Sequence, residues 1–130
     1  MQQWITSDWH LGESRMHLFQ RDFKSQDAMV KHFIEKHNAL VDPDDRVYML
    51  GDVLDERHMK YLKRVSDFNG KKILIRGNHD RSIPDEEFAP YFEQIVAEGE
   101  GMVVSGGGYS FWATHYPTRG RKDMFNLVGH

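Results

Sequence analysis

The chain has 130 residues, of which 39% are hydrophobic and 12% aromatic, as expected for one folded domain with its own core. It contains no cysteine, which excludes disulfides, thiolate metal ligands and cysteine nucleophiles. Its net charge of −3 argues against a surface that binds extended nucleic acid. The N-terminus lacks a signal-peptide pattern, and no apolar run reaches the roughly eighteen residues of a membrane span, so we expect a cytoplasmic protein.

The first half of the chain alternates predicted strands and helices. Apolar runs predict strands at 2–7, 46–50 and 72–76. A helical repeat follows the N-cap residue Ser25 and stops at Asp42-Pro43, and residues 59–65 predict a second helix. This β, α, β, α, β order predicts a parallel sheet.

The second half of the chain is predicted to be richer in strands. Residues 102–105, 109–114 and 125–128 predict three strands that are partly antiparallel, and Pro84 suits the start of a short helix. No linker or repeat divides the sequence. We therefore expect residues 1–130 to form a single α/β domain.

Metal-binding side chains follow the predicted strands. The segments are Asp8-Trp9-His10, Gly51-Asp52, Gly77-Asn78-His79-Asp80, His115-Tyr116-Pro117 and Gly129-His130. Ligand sites of open α/β sheets lie beyond the carboxyl ends of the strands, where these residues fall. Oxygen and imidazole donors of this kind suit Mn, Fe or Zn, and two such ions can clamp a phosphoryl group.

In this order, the five segments resemble the calcineurin-like metallophosphoesterases, and the stretch 75–80 with His115-Tyr116-Pro117 looks like their small bacterial and phage members. The resemblance implies a β-sandwich flanked by helices in αββα layers. It also implies two divalent metal ions, of which Mn is the first expectation and Fe, Zn or Ni are alternatives.

The resemblance also implies how the ligands are divided between the two ions. It assigns Asp8, His10 and a bridging Asp52 to the first ion. Asp52 is shared with the second ion, which also takes Asn78, His115 and His130.

Four further residues have implied or candidate roles at the site. His79 matches the family's histidine that protonates the leaving oxygen, and Asp55 matches the carboxylate that pairs with it in the protein-phosphatase branch. That branch has Arg one position later, where this chain has Glu56. Arg119 and Arg76 are candidates for binding substrate phosphate oxygens.

The end of the sequence departs from the pattern of the small relatives. Most of them carry Gly-His-x-His, whereas this sequence stops at His130, so one ligand of the first ion has no counterpart. We expect that the chain is a shortened form of a longer protein.

The expected function is phosphoester hydrolysis, in which a metal-bound hydroxide attacks phosphorus and His79 assists the leaving group. A phosphodiesterase is favoured over a phosphomonoesterase, with a small phosphoester or nucleotide as substrate. The alternative is a scaffold of the same fold with little catalysis. Packing or surface roles are expected for the other histidines, which are His17, His32, His37 and His58.

Overall fold

A four-stranded parallel sheet forms the centre of the molecule. The structure, a computed structural model, describes residues 1–14 and 23–129. The strands are β1 (Gln3–Thr6), β2 (Arg46–Met49), β3 (Lys71–Ile75) and β4 (Gln94–Val96), and they lie side by side in chain order. The predicted parallel sheet is confirmed, with β4 as a strand that the sequence analysis did not predict.

The second sheet has three strands, namely β5 (Gly101–Gly106), β6 (Tyr109–Thr114) and β7 (Phe125–Val128). β5 and β6 pair antiparallel around the turn at Gly107 and Gly108, whereas β6 and β7 pair parallel. Both glycines have positive φ, as tight hairpin turns require. The mixed pairing confirms the expectation of a partly antiparallel second half.

Helix α1 (Gln26–Leu40) begins where its capping residue predicts. The Ser25 side chain accepts a hydrogen bond from the backbone N–H of Ala28 at 3.0 Å, which satisfies one donor of the first turn. The Asp42-Pro43 pair follows the helix, as predicted. A one-turn helix, α2 (Asp85–Phe88), starts directly after Pro84.

The second predicted helix is present but is a 3₁₀ segment, Glu56–Asp67, with a non-helical residue at His58. Shorter 3₁₀ turns occur at Asn78–Asp80 and Pro117–Arg119. Long 3₁₀ runs are uncommon because their hydrogen-bond geometry is poorer than that of an α-helix. Here the segment is held by its buried face, which includes Tyr61, Leu62 and Val65.

Alternating side chains on β2 and β3 divide the core into two layers. Met49 and Leu74 face a cluster shared with the helical segments, whereas Tyr48 and Ile75 face a second cluster with Val104 of β5. Because successive strand residues point to opposite faces, one sheet supports both clusters. This arrangement is the sandwich of two sheets with helices that the family resemblance implied.

Within residues 1–14 and 23–129, no helix has the length and apolar composition that crossing a membrane requires.

Candidate metal centre

The predicted ligands meet at the carboxyl edge of the parallel sheet. The segments after β1 and β2 are joined by backbone hydrogen bonds from Asp8 N to Gly51 O (2.9 Å) and from His10 N to Asp52 O (3.0 Å). These bonds continue the pairing of the two strands into the loops. Backbone hydrogen bonds alone therefore hold the two acidic segments next to each other.

Three predicted ligands have left-handed backbone conformations. The φ angles are 57° at Asp8, 45° at His10 and 61° at Asp52. Residues other than glycine rarely adopt such angles, and they concentrate at functional sites whose surroundings enforce them. Their occurrence at three predicted ligands supports a site whose geometry is set by function.

Asp52 lies at the centre of the cluster. Its carboxylate oxygen Oδ2 is 3.7 Å from His10 Nε2 and 3.5 Å from His115 Nε2, while Oδ1 accepts a hydrogen bond from the backbone N–H of His79. One oxygen therefore faces two imidazoles that belong to different strand ends. This is the position that a ligand shared by two ions must occupy.

His115 is completely buried, and its hydrogen bonds define its tautomer. Nδ1 lies 2.6 Å from the carbonyl oxygen of Leu50, which can only accept, so Nδ1 carries the proton. In the neutral ring Nε2 is then an acceptor, 3.1 Å from the amide oxygen of Asn78. A cation between these two acceptors would be favourable, so the pair fits a metal site.

The environment of Asp8 also favours a cation. Burial raises the pKa of Asp8, the Ser7 hydroxyl at 3.0 Å opposes this, and the negative charge of Asp52 raises it further. His10 Nε2 lies 3.9 Å from Asp8 Oδ1. Two carboxylates that repel each other beside an imidazole form a donor set that a divalent ion would stabilise.

Gly77 allows this close packing. A Cβ at this position would overlap Asp52 Oδ1 and would lie 2.9 Å from His115 Cε1. A side chain here would therefore displace two predicted ligands. The glycine of the Gly-Asn-His-Asp segment is required because a side chain has no room here. Its φ of −104° would suit any residue, so backbone conformation is not the reason.

Asp80 supports the site without belonging to the predicted ligands, and the sequence analysis gave it no role. It is fully buried and accepts backbone N–H bonds from Asp52 and Gly77 at 2.8 Å and from Val53 at 2.9 Å. Burial raises the pKa of Asp80 to about 6, and the N–H donors, first that of Gly77, oppose the rise. The carboxylate fastens the loop after β2 to the loop after β3.

His79 and Asp55 lie together at the edge of the cluster. His79 Nδ1 is 4.0 Å from Asp55 Oδ2, and its ring lies edge-on to that of His10 with centroids 4.8 Å apart. The His79 side chain is 30% exposed, whereas that of Asp52 is 3% exposed. His79 is therefore accessible to a substrate, and its catalytic role stays a prediction.

Asp55 is held as a carboxylate by Arg57. Burial pushes the pKa of Asp55 upward, but hydrogen bonds from the side chain and backbone of Arg57 outweigh it, so the net pKa lies below the usual range. The shortest of these contacts is 2.6 Å, from Arg57 Nη2 to Oδ2. The Asp55 charge that faces His79 is thus present at neutral pH.

The two arginines proposed as substrate ligands have different surroundings. Arg76 pairs with Asp85 and donates to the carbonyl oxygens of Asp80 and Ile83, so its guanidinium braces the loop after β3. Arg119 is exposed and makes no salt bridge among the described residues. Substrate binding by Arg76 and Arg119 stays a prediction.

His130 lies outside the described residues, and its ligand role stays a prediction. The preceding residue, Gly129, donates its N–H to Thr114 O and accepts a hydrogen bond from the Ser7 hydroxyl, both at 3.3 Å. The described chain therefore ends beside the strand end that carries Asp8.

Comparison with known proteins identifies relatives over nearly the whole chain. The family model described as calcineurin-like phosphoesterase matches residues 1–128. The uncharacterized protein MJ1445 of Methanocaldococcus jannaschii is 29% identical over 117 residues, 88% of this chain and 58% of that protein. The Gene 66 protein of Mycobacterium phage D29 is 28% identical over 127 residues, 88% of this chain and 63% of the phage protein.

A solved structure shares the fold. The crystal structure of AQ665, a protein of unknown function from Aquifex aeolicus, superposes with a TM-score of 0.71 at 25% identity, covering 89% of this chain and 61% of the other. The chain thus spans about three fifths of the length of these relatives.

Proposed function

Because the chain belongs to the calcineurin-like phosphoesterase family, we propose that it hydrolyses phosphoesters with the help of two divalent metal ions. One observation carries the proposal. Asp52 Oδ2 lies between the Nε2 atoms of His10 and His115, at 3.7 and 3.5 Å. A carboxylate between two imidazoles, with further oxygen donors on either side, is a donor set for a pair of ions.

The residues would divide between the ions as the resemblance implies. Asp8 and His10 would bind one ion, Asn78, His115 and His130 the other, and Asp52 both; Mn is the expected metal. When bound, such ions clamp phosphoryl oxygens and lower the pKa of a water molecule between them. The neighbouring carboxylates of Asp8 and Asp52 favour this occupancy, because the ions would neutralise charges that otherwise repel each other.

His79 would complete the reaction by giving a proton to the leaving oxygen. Its Nδ1 faces Asp55, so the transferable proton is assigned to Nε2. The Asp55 carboxylate would restrict the orientation of the ring. The proton is regained from the water that attacks phosphorus, which balances the reaction.

We favour a small phosphodiester or nucleotide as the substrate. The net charge of −3 gives no basic surface for a long nucleic acid, so phosphate recognition would depend on the bound ions and on an exposed cation such as Arg119. The preference for a diester rests on the likeness to the small members of the family.

The first experiment measures turnover of bis-p-nitrophenyl phosphate and p-nitrophenyl phosphate with added Mn. We expect activity on both, with the diester faster, and a loss of at least about a hundredfold in Asp52→Asn, because a neutral amide cannot replace the carboxylate that both ions would share. Asp44→Asn, an exposed site, is the matched control. No turnover with any divalent metal would contradict the proposal and favour a noncatalytic scaffold.

A second experiment tests the role of His79. In His79→Asn we expect the rate to fall by about 10²–10⁴-fold for an alkyl ester, whose leaving oxygen needs a proton, and much less for a p-nitrophenyl ester. His32→Asn, on the exposed face of α1, is the control. Equal losses for the two leaving groups would show that His79 is not the proton donor.

A further inference from the structure

A second group of potential ligands lies next to the predicted centre but shares no residue with its metal ligands. It contains Glu13, Asp55 and His58, each of which offers one ligand atom within 4.8 Å of the other two. Glu13 follows the Asp-x-His segment and donates its N–H to His10 O at 3.1 Å. Asp55 caps the 3₁₀ segment that contains His58.

His58 is the most informative member of the group. It is 7% exposed, its side chain is 9% exposed, and its Nε2 has no hydrogen-bond partner among the described residues. This nitrogen lies 3.9 Å from Glu13 Oε1 and 3.8 Å from Asp55 Oδ1. Buried polar nitrogens are almost always paired, so one that faces two carboxylates beyond hydrogen-bond distance indicates that a bound species belongs there.

The 3₁₀ segment is interrupted at His58 itself. His58 interrupts the segment with φ −121° and ψ 27°, and its N–H donates to Asp55 O at 3.0 Å. The His58 imidazole is buried next to Glu13, which is only 1% exposed. An ordinary packing role, as the sequence predicts for His58, does not explain why two acidic groups surround it.

We propose that Glu13, Asp55 and His58 form a third divalent-cation site, suited to Zn²⁺ or Mn²⁺ and separate from the pair of ions at Asp52. Ligand bonds of about 2.0–2.2 Å place neighbouring donors about 3–4 Å apart, close to the separations seen here. Arg57 donates to both oxygens of Asp55, to Oδ2 from Nη2 at 2.6 Å and to Oδ1 from its backbone N–H at 2.9 Å and from Nε at 3.3 Å, and Oδ1 is the oxygen that faces His58.

The site connects the loop after β1 to the residue that faces His79. Asp55 presents Oδ1 to His58 and Oδ2 to His79, at 3.8 and 4.0 Å. An ion at this position would fix the orientation of that carboxylate. The inference concerns binding alone and does not depend on the proposed hydrolysis.

The test counts Co²⁺ or Zn²⁺ bound by the full chain, using calorimetry and the visible absorption of Co²⁺. In the double variant Asp52→Asn, His115→Asn, which disables the neighbouring centre, we expect one equivalent to remain. Adding Glu13→Gln or His58→Gln should weaken that binding at least tenfold. Adding His32→Gln, on an exposed helix face, should not.

Two results would overturn the proposal. One is a folded double variant that binds no Co²⁺. The other is binding that survives both Glu13→Gln and His58→Gln. If the double variant does not fold, the same count is made on the unmodified chain. There, either substitution should remove one equivalent, and retention of the full count overturns the site.

Discussion

At the scale of single residues, Asp80 shows how a buried carboxylate positions its neighbours. Its two oxygens accept N–H groups from the loop that carries Asp52 and from Gly77, which precedes Asn78. The position of the predicted bridging ligand therefore depends on a residue that is not itself a predicted ligand. Such supporting contacts commonly determine the affinity of a metal site.

Asp80→Asn should weaken Mn binding by about 10–100-fold, because an amide places N–H donors where a carboxylate accepts them from Gly77 or Asp52. Mn affinity is measured by calorimetry, with circular dichroism to confirm folding. Asp44→Asn provides the exposed control. Unchanged affinity in Asp80→Asn would show that the loops hold Asp52 without this carboxylate.

The sequence predicts which residues lie at the site better than it predicts what supports them. Asp8, His10, Asp52, Asn78, His79 and His115 follow strands, and parallel strands bring their carboxyl ends to one edge. Glu13 and His58 follow no such rule. Their proximity depends on the path of a loop and on an interruption within a 3₁₀ segment, and no local pattern encodes either feature.

At the scale of elements, Asp45 fastens β1 to the turn that leads into β2. One carboxylate oxygen accepts the N–H of Gln2 at 2.8 Å, and the other accepts Trp4 Nε1 at 2.9 Å and Asp42 N at 3.0 Å. These hydrogen bonds, first that of Gln2, hold the pKa of Asp45 below its usual range. They tie the N-terminal edge strand to the sheet.

The lowered pKa gives a prediction with a defined sign. The Asp45 carboxylate stabilises the fold above the unfolded-state pKa of 3.8, and this contribution is lost as the pH falls through the lower folded-state pKa. The free energy of unfolding of the parent chain should therefore exceed that of Asp45→Asn at neutral pH. The difference should shrink below about pH 4.

Urea denaturation across this pH range measures the effect, with Asp44→Asn as a neighbouring control that should match the parent chain. A difference between the parent chain and Asp45→Asn that does not vary with pH would mean that the carboxylate makes no charge-dependent contribution.

Periodicity predicts most of these elements, and the exceptions have physical causes. Met59, Leu62 and Val65 recur every three residues, which fits the three-residue turn of a 3₁₀ helix better than the 3.6-residue turn of an α-helix. β4 escapes prediction because three residues are too few to show alternation. It forms by pairing with the exposed edge of β3, from Ile73 with Gln94 to Ile75 with Val96.

At the scale of the whole molecule, the two core layers meet on one sheet. Leu74 and Ile75 are adjacent on β3, are both fully buried and face opposite layers. Loss of packing in one layer must therefore also weaken the other, because both layers pack on the same strand. The chain should therefore unfold as one unit, in agreement with the single domain expected from the sequence.

Leu74→Ala and Ile75→Ala should each lower the free energy of unfolding by about 2–5 kcal/mol, because each leaves a cavity in a packed layer. Each variant should retain one transition, seen together by far-ultraviolet circular dichroism and tryptophan fluorescence. Val103→Ala, at a residue that is 46% exposed, should have an effect below about 1 kcal/mol. Separate transitions for the two layers would argue against a single cooperative domain.

The left-handed backbone at Asp8, His10 and Asp52 lowers the stability of the fold at three residues that are predicted to bind metal. Glycine adopts such angles without the penalty of a Cβ, so replacing any of the three by glycine should relieve about 1 kcal/mol of strain while removing a predicted metal ligand. Selection for thermal stability alone, in the absence of metal, would therefore favour variants that lose the centre. Selection for catalysis would instead retain non-glycine residues at these three angles.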